Sequence, residues 1–273
     1  MENQKLEERA QQLVEKIAKR SCINSLGSAT VAVYDTAWVS MITKNEEWLF
    51  PECFYYVLDT QSPDGGWGSG SSLDDGLLTT LAALAAMVSH AKLQRPDTRS
   101  DPMNLNFRIC QATGYLEANL RCWDVDAAMN VGFEFLIPAL LSILENEQIF
   151  FSFPRRKVLN NMRALKMEKF DQELFYSFPN TFLHSLEGLV GQINFDRISH
   201  HKTFGSMMAS PASTAAYLIH SSTWDDEAET YLRTVITEGA GEGRGGVPSV
   251  YPTPIFESTW VRFSVSVRIF DES

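Results

Sequence analysis

An all-α fold follows from three features of the sequence. Apolar residues recur at helical spacing or run continuously over a dozen positions. Glycine, proline and small polar residues punctuate the segments between. Strict apolar/polar alternation, the mark of a half-buried strand, occurs only at 261–269. Taken in order, residues 2–22 form one helix, with Leu6, Ala10, Leu13, Val14, Ile17 and Ala18 on a single stripe, and the breakers Asn24-Ser25-Leu26-Gly27-Ser28 end it. A second helix opens at Ser72, which caps it, with Asp75 three residues on completing a capping box. Its body, 77–88, is apolar on every side and so must be buried on every side, which suits the inner ring of a two-layered helical barrel. The run 131–144 is similar, with Pro138 near a helix start or at a kink. Ser210-Pro211 reads as an N-cap and a proline in the first helical position, leading into Ala215, Ala216, Leu218 and Ile219. Five glycines in 238–246 make a flexible loop, and it echoes the glycine-rich stretch after Gln61, since both lie between expected helices.

Composition narrows the function. The 273 residues carry 34 acidic and 23 basic side chains, a net charge of −11, where a nucleic-acid surface wants clustered Lys and Arg. At 44% hydrophobic and 21% charged residues, the chain is too apolar for disorder. No stretch reaches the roughly 18 consecutive apolar residues of a membrane span. Glu2, Glu7, Glu8 and Glu15 place acids where a signal or transit peptide is basic or apolar. Cys22, Cys53, Cys110 and Cys122 lack C-x-x-C spacing, so reduced thiols and a cytoplasmic location are expected, without a zinc site.

The most specific local pattern is Gln61-x-x-x-Gly65-x-Trp67. A glutamine amide can bond orphan backbone groups at a helix end, glycine permits the turn, and tryptophan stacks over the joint. This is the QW motif that braces helices in triterpene and diterpene cyclases. Upstream, Tyr34-Asp35-Thr36-Ala37-Trp38 resembles the S-x-Y-D-T-A-W segment of diterpene cyclases. Further blocks follow in the family's order: Asn130-Val131-Gly132-Phe133-Glu134, continuing to Leu141; Leu183-His184-Ser185-Leu186-Glu187-Gly188-Leu189; Ser210-Pro211-Ala212-Ser213-Thr214-Ala215; and Gly245-Gly246-Val247-Pro248-Ser249-Val250-Tyr251-Pro252 with Phe256-Glu257-Ser258-Thr259-Trp260. The chain thus resembles the class II diterpene cyclases, in particular the fungal bifunctional copalyl diphosphate–kaurene synthases.

That resemblance implies an α/α-barrel of the terpenoid cyclase type. Residues 1–25 would be an N-terminal helix of the β domain, 26–260 the γ domain, and 261–273 an aberrant tail left by an interrupted frame or gene model. It implies protonation-initiated cyclisation of geranylgeranyl diphosphate to a copalyl-type diphosphate, with magnesium. The proton donor in that chemistry is a carboxylic acid of a D-x-D-D motif, kept protonated in an apolar pocket. The sequence has no such string. Its nearest approach, Asp124-Val125-Asp126-Ala127, falls in the wrong block, so the chain alone is expected to be inactive. A non-catalytic truncated fragment, serving as an interaction module or merely a pseudogene product, is the alternative reading. A glycan-processing α/α-barrel would need a pair of catalytic carboxylates in a cleft, and the ordered blocks speak against it.

Glu187 is the candidate ligand for diphosphate and magnesium, because the resemblance places an acidic motif at the Glu of L-E-G. An interface hydrogen bond is its other role, since Gly191 stands where the motif's second acid would fall and the next acid is Asp196. Asp225-Asp226-Glu227-Ala228-Glu229 superficially fits the D-D-x-x-E of class I ionisation, yet acids opening a helix meet the helix dipole, as Asp74-Asp75 also would. His184, His200, His201 and His220 fit no tetrahedral spacing. Arg155-Arg156-Lys157 reads as a solvated face, and Cys53 and Cys122 lack basic neighbours that would activate them.

Overall fold

The computed structural model describes residues 29–68, 72–93, 102–128, 131–241 and 243–253. Among these, the helices are α1 (Val33–Ser40), α2 (Pro51–Asp59), α3 (Leu73–Leu93), α4 (Pro102–Cys122), α5 (Phe133–Asn146), α6 (Arg156–Met167), α7 (Gln172–Ser177), α8 (Pro211–His220) and α9 (Asp226–Glu238). A longer 3-10 segment, Thr181–Leu189, lies between α7 and α8. The expected helix at 2–22 and the alternating tail at 261–273 lie outside the described residues.

Contacts between elements close a ring. α1 packs on α3, α3 on α5, α5 on the Thr181–Leu189 segment, that segment on α8, and α8 back on α1. Outside it, α2 lies against α1, α4 against α3, α6 against α5 and α9 against α8. Inner and outer elements therefore largely alternate along the chain, as in a double-layered helical barrel. The continuous apolar run of α3 is explained by this geometry: Leu77, Leu81, Leu84 and Met87 are wholly buried against neighbours on several sides. Each such side chain contributes roughly 1.5–3 kcal/mol of transfer free energy. By length and composition α3 would also pass for a membrane-crossing helix, but 67% of its apolar window is buried within the protein.

Several local expectations need correction. Ser72 forms no capping box with Asp75; its hydroxyl donates to Asp74 Oδ2 (3.4 Å), and Trp123 Nε1 donates to Asp74 Oδ1 (2.6 Å). Asp74 is drawn inward by the tryptophan, a partner distant in sequence. Of its two expected places Pro138 takes not the helix start but the interior of α5, where a proline interrupts the backbone ladder, and Val131 is 99% exposed ahead of the helix although it begins the apolar run. The sequence showed no strand before residue 261, yet Thr43–Lys44 and Glu47–Trp48 form a two-stranded hairpin. Its turn residues Asn45 and Glu46 both have positive φ (52° and 67°), the conformation that matches the twist of a two-residue hairpin. The hairpin is pinned by His90 of α3, whose ring stacks between Trp48 and Phe54 at 3.6 and 3.5 Å while Nε2 donates to the Ser40 carbonyl (2.9 Å).

The capping prediction for α8 holds: Ser210 Oγ accepts from Ser213 N–H, and Pro211 occupies the first turn. The QW brace holds as well. Gln61 Nε2 donates to the Gly65 and Arg108 carbonyls (2.9 and 3.1 Å), and Trp67 Nε1 donates to the Val57 carbonyl (2.8 Å). Arg108 completes it by donating to the last-turn carbonyl of Leu58 (2.7 Å) and to Gln61 Oε1 (3.2 Å), which places a cation at the negative end of α2. Gly65 has φ +93°, and a Cβ there would stand 2.4 Å from the Gln111 carbonyl oxygen, so only glycine fits. The second glycine-rich loop mirrors it: at Gly245, φ +94°, a Cβ would meet the Glu52 carbonyl oxygen at 2.1 Å. The sequence echo is thus a repeated way of seating a glycine-rich loop on a neighbouring outer helix. The ring closes where Ala32 N–H donates to the Val247 carbonyl (2.9 Å) and Val247 N–H donates to Thr36 Oγ1 (3.1 Å), with an antiparallel bridge between Val31 and Pro248.

Candidate functional site

The sequence candidates Tyr34, Asp35 and Glu187 meet where α1, the Thr181–Leu189 segment and the start of α8 converge. Tyr34 Oη donates to Glu187 Oε1 (3.0 Å), and Ser213 Oγ donates to Oε2 (3.0 Å). Ser213 Oγ also accepts from Leu186 N–H (3.1 Å), so one hydroxyl fixes both the carboxylate and its backbone. One residue along α1, Asp35 Oδ1 accepts from Ala212 N–H (3.2 Å) in the first turn of α8, a capping contact supplied by another helix. Glu187 and Asp35 are 3% and 4% exposed.

Two buried acids without a salt-bridged cation among the described residues resist ionisation. Burial lifts the Glu187 carboxyl to about 7, against the opposing pull of its own backbone, Ser213 and Tyr34. Burial, then the neighbouring Glu187, pushes Asp35 well above the usual carboxylate range, although the Ala212 N–H favours its charged form. The Tyr34 hydroxyl is raised too, by burial and then by the charges of Glu187 and Asp35.

Beside this cluster opens a cleft of about 550 Å³ lined by Tyr34, Asp35, Trp67, Asp75, Thr79 and Ser249. The QW tryptophan and the Tyr34-Asp35 pair, far apart in the sequence, therefore share one cavity wall. Trp38, the last residue of the same block, is buried in the core instead.

Magnesium does not fit Glu187 in this arrangement. Both carboxylate oxygens accept hydroxyl hydrogen bonds, the group is buried, and no cluster of three or more His, Cys, Asp or Glu able to hold a metal occurs among the described residues. Asp196 serves elsewhere, accepting from Ser222 N–H (2.7 Å).

The other polar motifs are structural. Asp225 caps α9, accepting from Glu227 and Ala228 N–H and from Tyr217 Oη, and pairs with Lys202. Glu229 accepts from Lys44, Trp224 and Arg233. These contacts occupy the D-D-x-x-E acids. His201 bonds the Phe175 carbonyl (3.0 Å) and His220 packs on Phe195. Arg155 pairs with Asp126 (2.9 Å) and Asp124 (3.7 Å), so the D-x-D string is a surface ion pair, and Arg156 pairs with Glu145. Cys53 is buried, its thiol pushed up by burial, while Cys110 and Cys122 are exposed. Sequence reasoning missed Ser213 and Arg108. Ser213 lies within a block already singled out, but nothing in the chain pairs it with a residue 26 positions away.

No protein-family model matches the chain. Among solved structures it is similar to ent-copalyl diphosphate synthase from Arabidopsis thaliana in complex with (S)-15-aza-14,15-dihydrogeranylgeranyl thiolodiphosphate. The TM-score is 0.69 at 26% identity, over 91% of this chain and 34% of that one. Abietadiene synthase from Abies grandis gives 0.70 at 25% identity, over 92% and 32%. The closed ring with its outer helices is therefore a helical barrel of the terpenoid cyclase class. Pimaradiene synthase of Emericella nidulans is 45% identical over 257 residues, 93% of this chain and 26% of that protein. Ent-kaur-16-ene synthase of Fusarium fujikuroi is 48% identical over 246 residues (86% and 26%), and copalyl diphosphate synthase of Talaromyces verruculosus 45% over 261 (93% and 27%). The chain is similar to these diterpene cyclases over most of its own length and spans about a quarter of the length of the relatives it matches.

Proposed function

We propose that residues 26–260 are the γ domain of a diterpene cyclase that converts geranylgeranyl diphosphate to a copalyl-type diphosphate. In this reading the chain walls one side of the reaction cavity, with the cleft beside Tyr34 and Trp67 forming part of that wall. The proton would come from a carboxylic acid outside these 273 residues, which contain no D-x-D-D string. The observation that carries the reading is that one closed ring unites the ordered blocks from Tyr34 to Pro252, at 45–48% identity to named copalyl diphosphate, kaurene and pimaradiene synthases. Magnesium would enter with the substrate diphosphate.

A chimera tests this. The matched 246-residue segment of the Fusarium ent-kaur-16-ene synthase is replaced by the corresponding residues of this chain and supplied with geranylgeranyl diphosphate and magnesium. Dephosphorylated extracts are analysed by mass spectrometry. Copalol or the host's ent-kaur-16-ene from the chimera, and neither from the 273-residue chain alone, is expected. A folded chimera that leaves the substrate intact overturns the assignment.

A further inference from the structure

We infer that Glu187 is a positioning residue, which fixes the Tyr34 side chain in the wall of the cleft and ties α1 to the first turn of α8, and is not a magnesium ligand. The inference rests on the proposed function only for the choice of metal to be tested. A metal-binding carboxylate needs access to space where other hard ligands converge. Each Glu187 oxygen already accepts one hydroxyl hydrogen bond, the residue is 3% exposed, and no group of three or more metal-ligating side chains converges among the described residues. Oε1 faces Tyr34 Oη and Oε2 faces Ser213 Oγ, each at 3.0 Å, and both donors are held from behind. Tyr34 is anchored by α1, and Ser213 by its N–H bond to Ser210 Oγ and by the Leu186 N–H it accepts. The other groups facing the cluster supply no second metal ligand set. Asp35 is engaged with Ala212 N–H, and Arg163 donates to the Gly188 carbonyl (3.2 Å), setting a cation, not a ligand, behind the segment. A cation that displaced Tyr34 and Ser213 from Glu187 would leave two buried hydroxyls unpaired.

The consequence is a separation of metal binding from packing. Glu187→Gln keeps a carbonyl acceptor for Tyr34 and an amide for Ser213 Oγ, whereas Glu187→Ala abolishes both. The full 273-residue chain and the variants Glu187→Gln, Glu187→Ala and Ser213→Ala are titrated with Mn²⁺, with and without inorganic pyrophosphate, and read by electron paramagnetic resonance. The same proteins are melted, and the near-ultraviolet circular dichroism of Tyr34 is identified by comparison with Tyr34→Phe. Mn²⁺ binding is expected to be the same, within twofold, in the parent and Glu187→Gln. Glu187→Ala and Ser213→Ala are expected to melt about 5 °C or more lower. The Tyr34 band should fade in Glu187→Ala and return in Glu187→Gln. A tenfold or greater loss of Mn²⁺ affinity in Glu187→Gln, with melting preserved, would overturn the inference. If Glu187→Ala does not fold, the comparison with Glu187→Gln still decides it. No product is measured, so the result is independent of the chimera.

Discussion

Burying Asp35 and Glu187 side by side makes the stability of this protein depend on pH in an unusual direction. Most carboxylates that gain partners on folding stabilise above their unfolded pKa. Here the Glu187 carboxyl rises from 4.5 to about 7, so between those values the folded chain binds more protons than the unfolded one. Its contribution is fully present below pH 4.5 and declines as pH rises to about 7, by on the order of 3 kcal/mol. Asp35 moves in the same direction, whereas Asp225 and Glu229, held low by Lys202 and Lys44 among others, lose stabilisation as pH falls below their unfolded values. Urea midpoints should therefore decrease from pH 5 to 7.5, and Glu187→Gln should flatten that decrease while leaving the share due to Asp35. An equal slope in parent and variant would count against a raised Glu187. The identity of this residue was legible from the L-E-G block. Its chemistry was not, because the choice between ligand and hydrogen bond depends on Tyr34 and Ser213, which sit 153 and 26 positions away.

Among the elements, inter-helix loops and caps carry the most testable strain. Gly65→Ala would force a Cβ into φ +93° and onto the Gln111 carbonyl, and is expected to cost at least about 2–3 kcal/mol in denaturant unfolding. Asp225→Ala removes the N-cap of α9 and is expected to cost about 1–2 kcal/mol. In the chimera it should lower stability without altering the metal dependence of cyclisation, because the acids of that D-D-x-x-E string face Lys202, Lys44 and Arg233. Helix placement was readable wherever the cause was local: the cap at Ser210, the all-round apolarity of α3, the QW spacing. It failed where a distant partner intervened. Ser72 Oγ donates to Asp74, itself held by Trp123, rather than pairing with Asp75, and the hairpin at Thr43–Lys44 is stabilised by His90 from α3. Neither pairing leaves a periodic trace.

For the molecule as a whole, the double layer predicts a sharp division among thiols. Peptide-mapped alkylation of the native chain should label Cys110 and Cys122 rapidly and Cys53 only on unfolding, since Cys53 lies in the core between α2 and its neighbours. Rapid native labelling of Cys53 would contradict the packing of the outer helix on the ring. Fold class was visible at this scale because alternation of inner and outer helices leaves a compositional mark: inner elements such as α3 are apolar throughout, while outer ones such as α6 and α9 are apolar on one face only.

Ring closure has a topological corollary. Residues 31 and 248 face each other across one antiparallel bridge, which brings the two flanks of the ring within about 5 Å before the chain runs on to Tyr251, whose N–H donates to the Ala209 carbonyl. A unit with so narrow a doorway can be spliced into a loop of a host protein without prying the host's framework open, and its folding need not wait for the host's. Grafting residues 29–253 through short flexible linkers into a surface turn of an unrelated carrier should accordingly leave both partners with separate, near-native melting transitions.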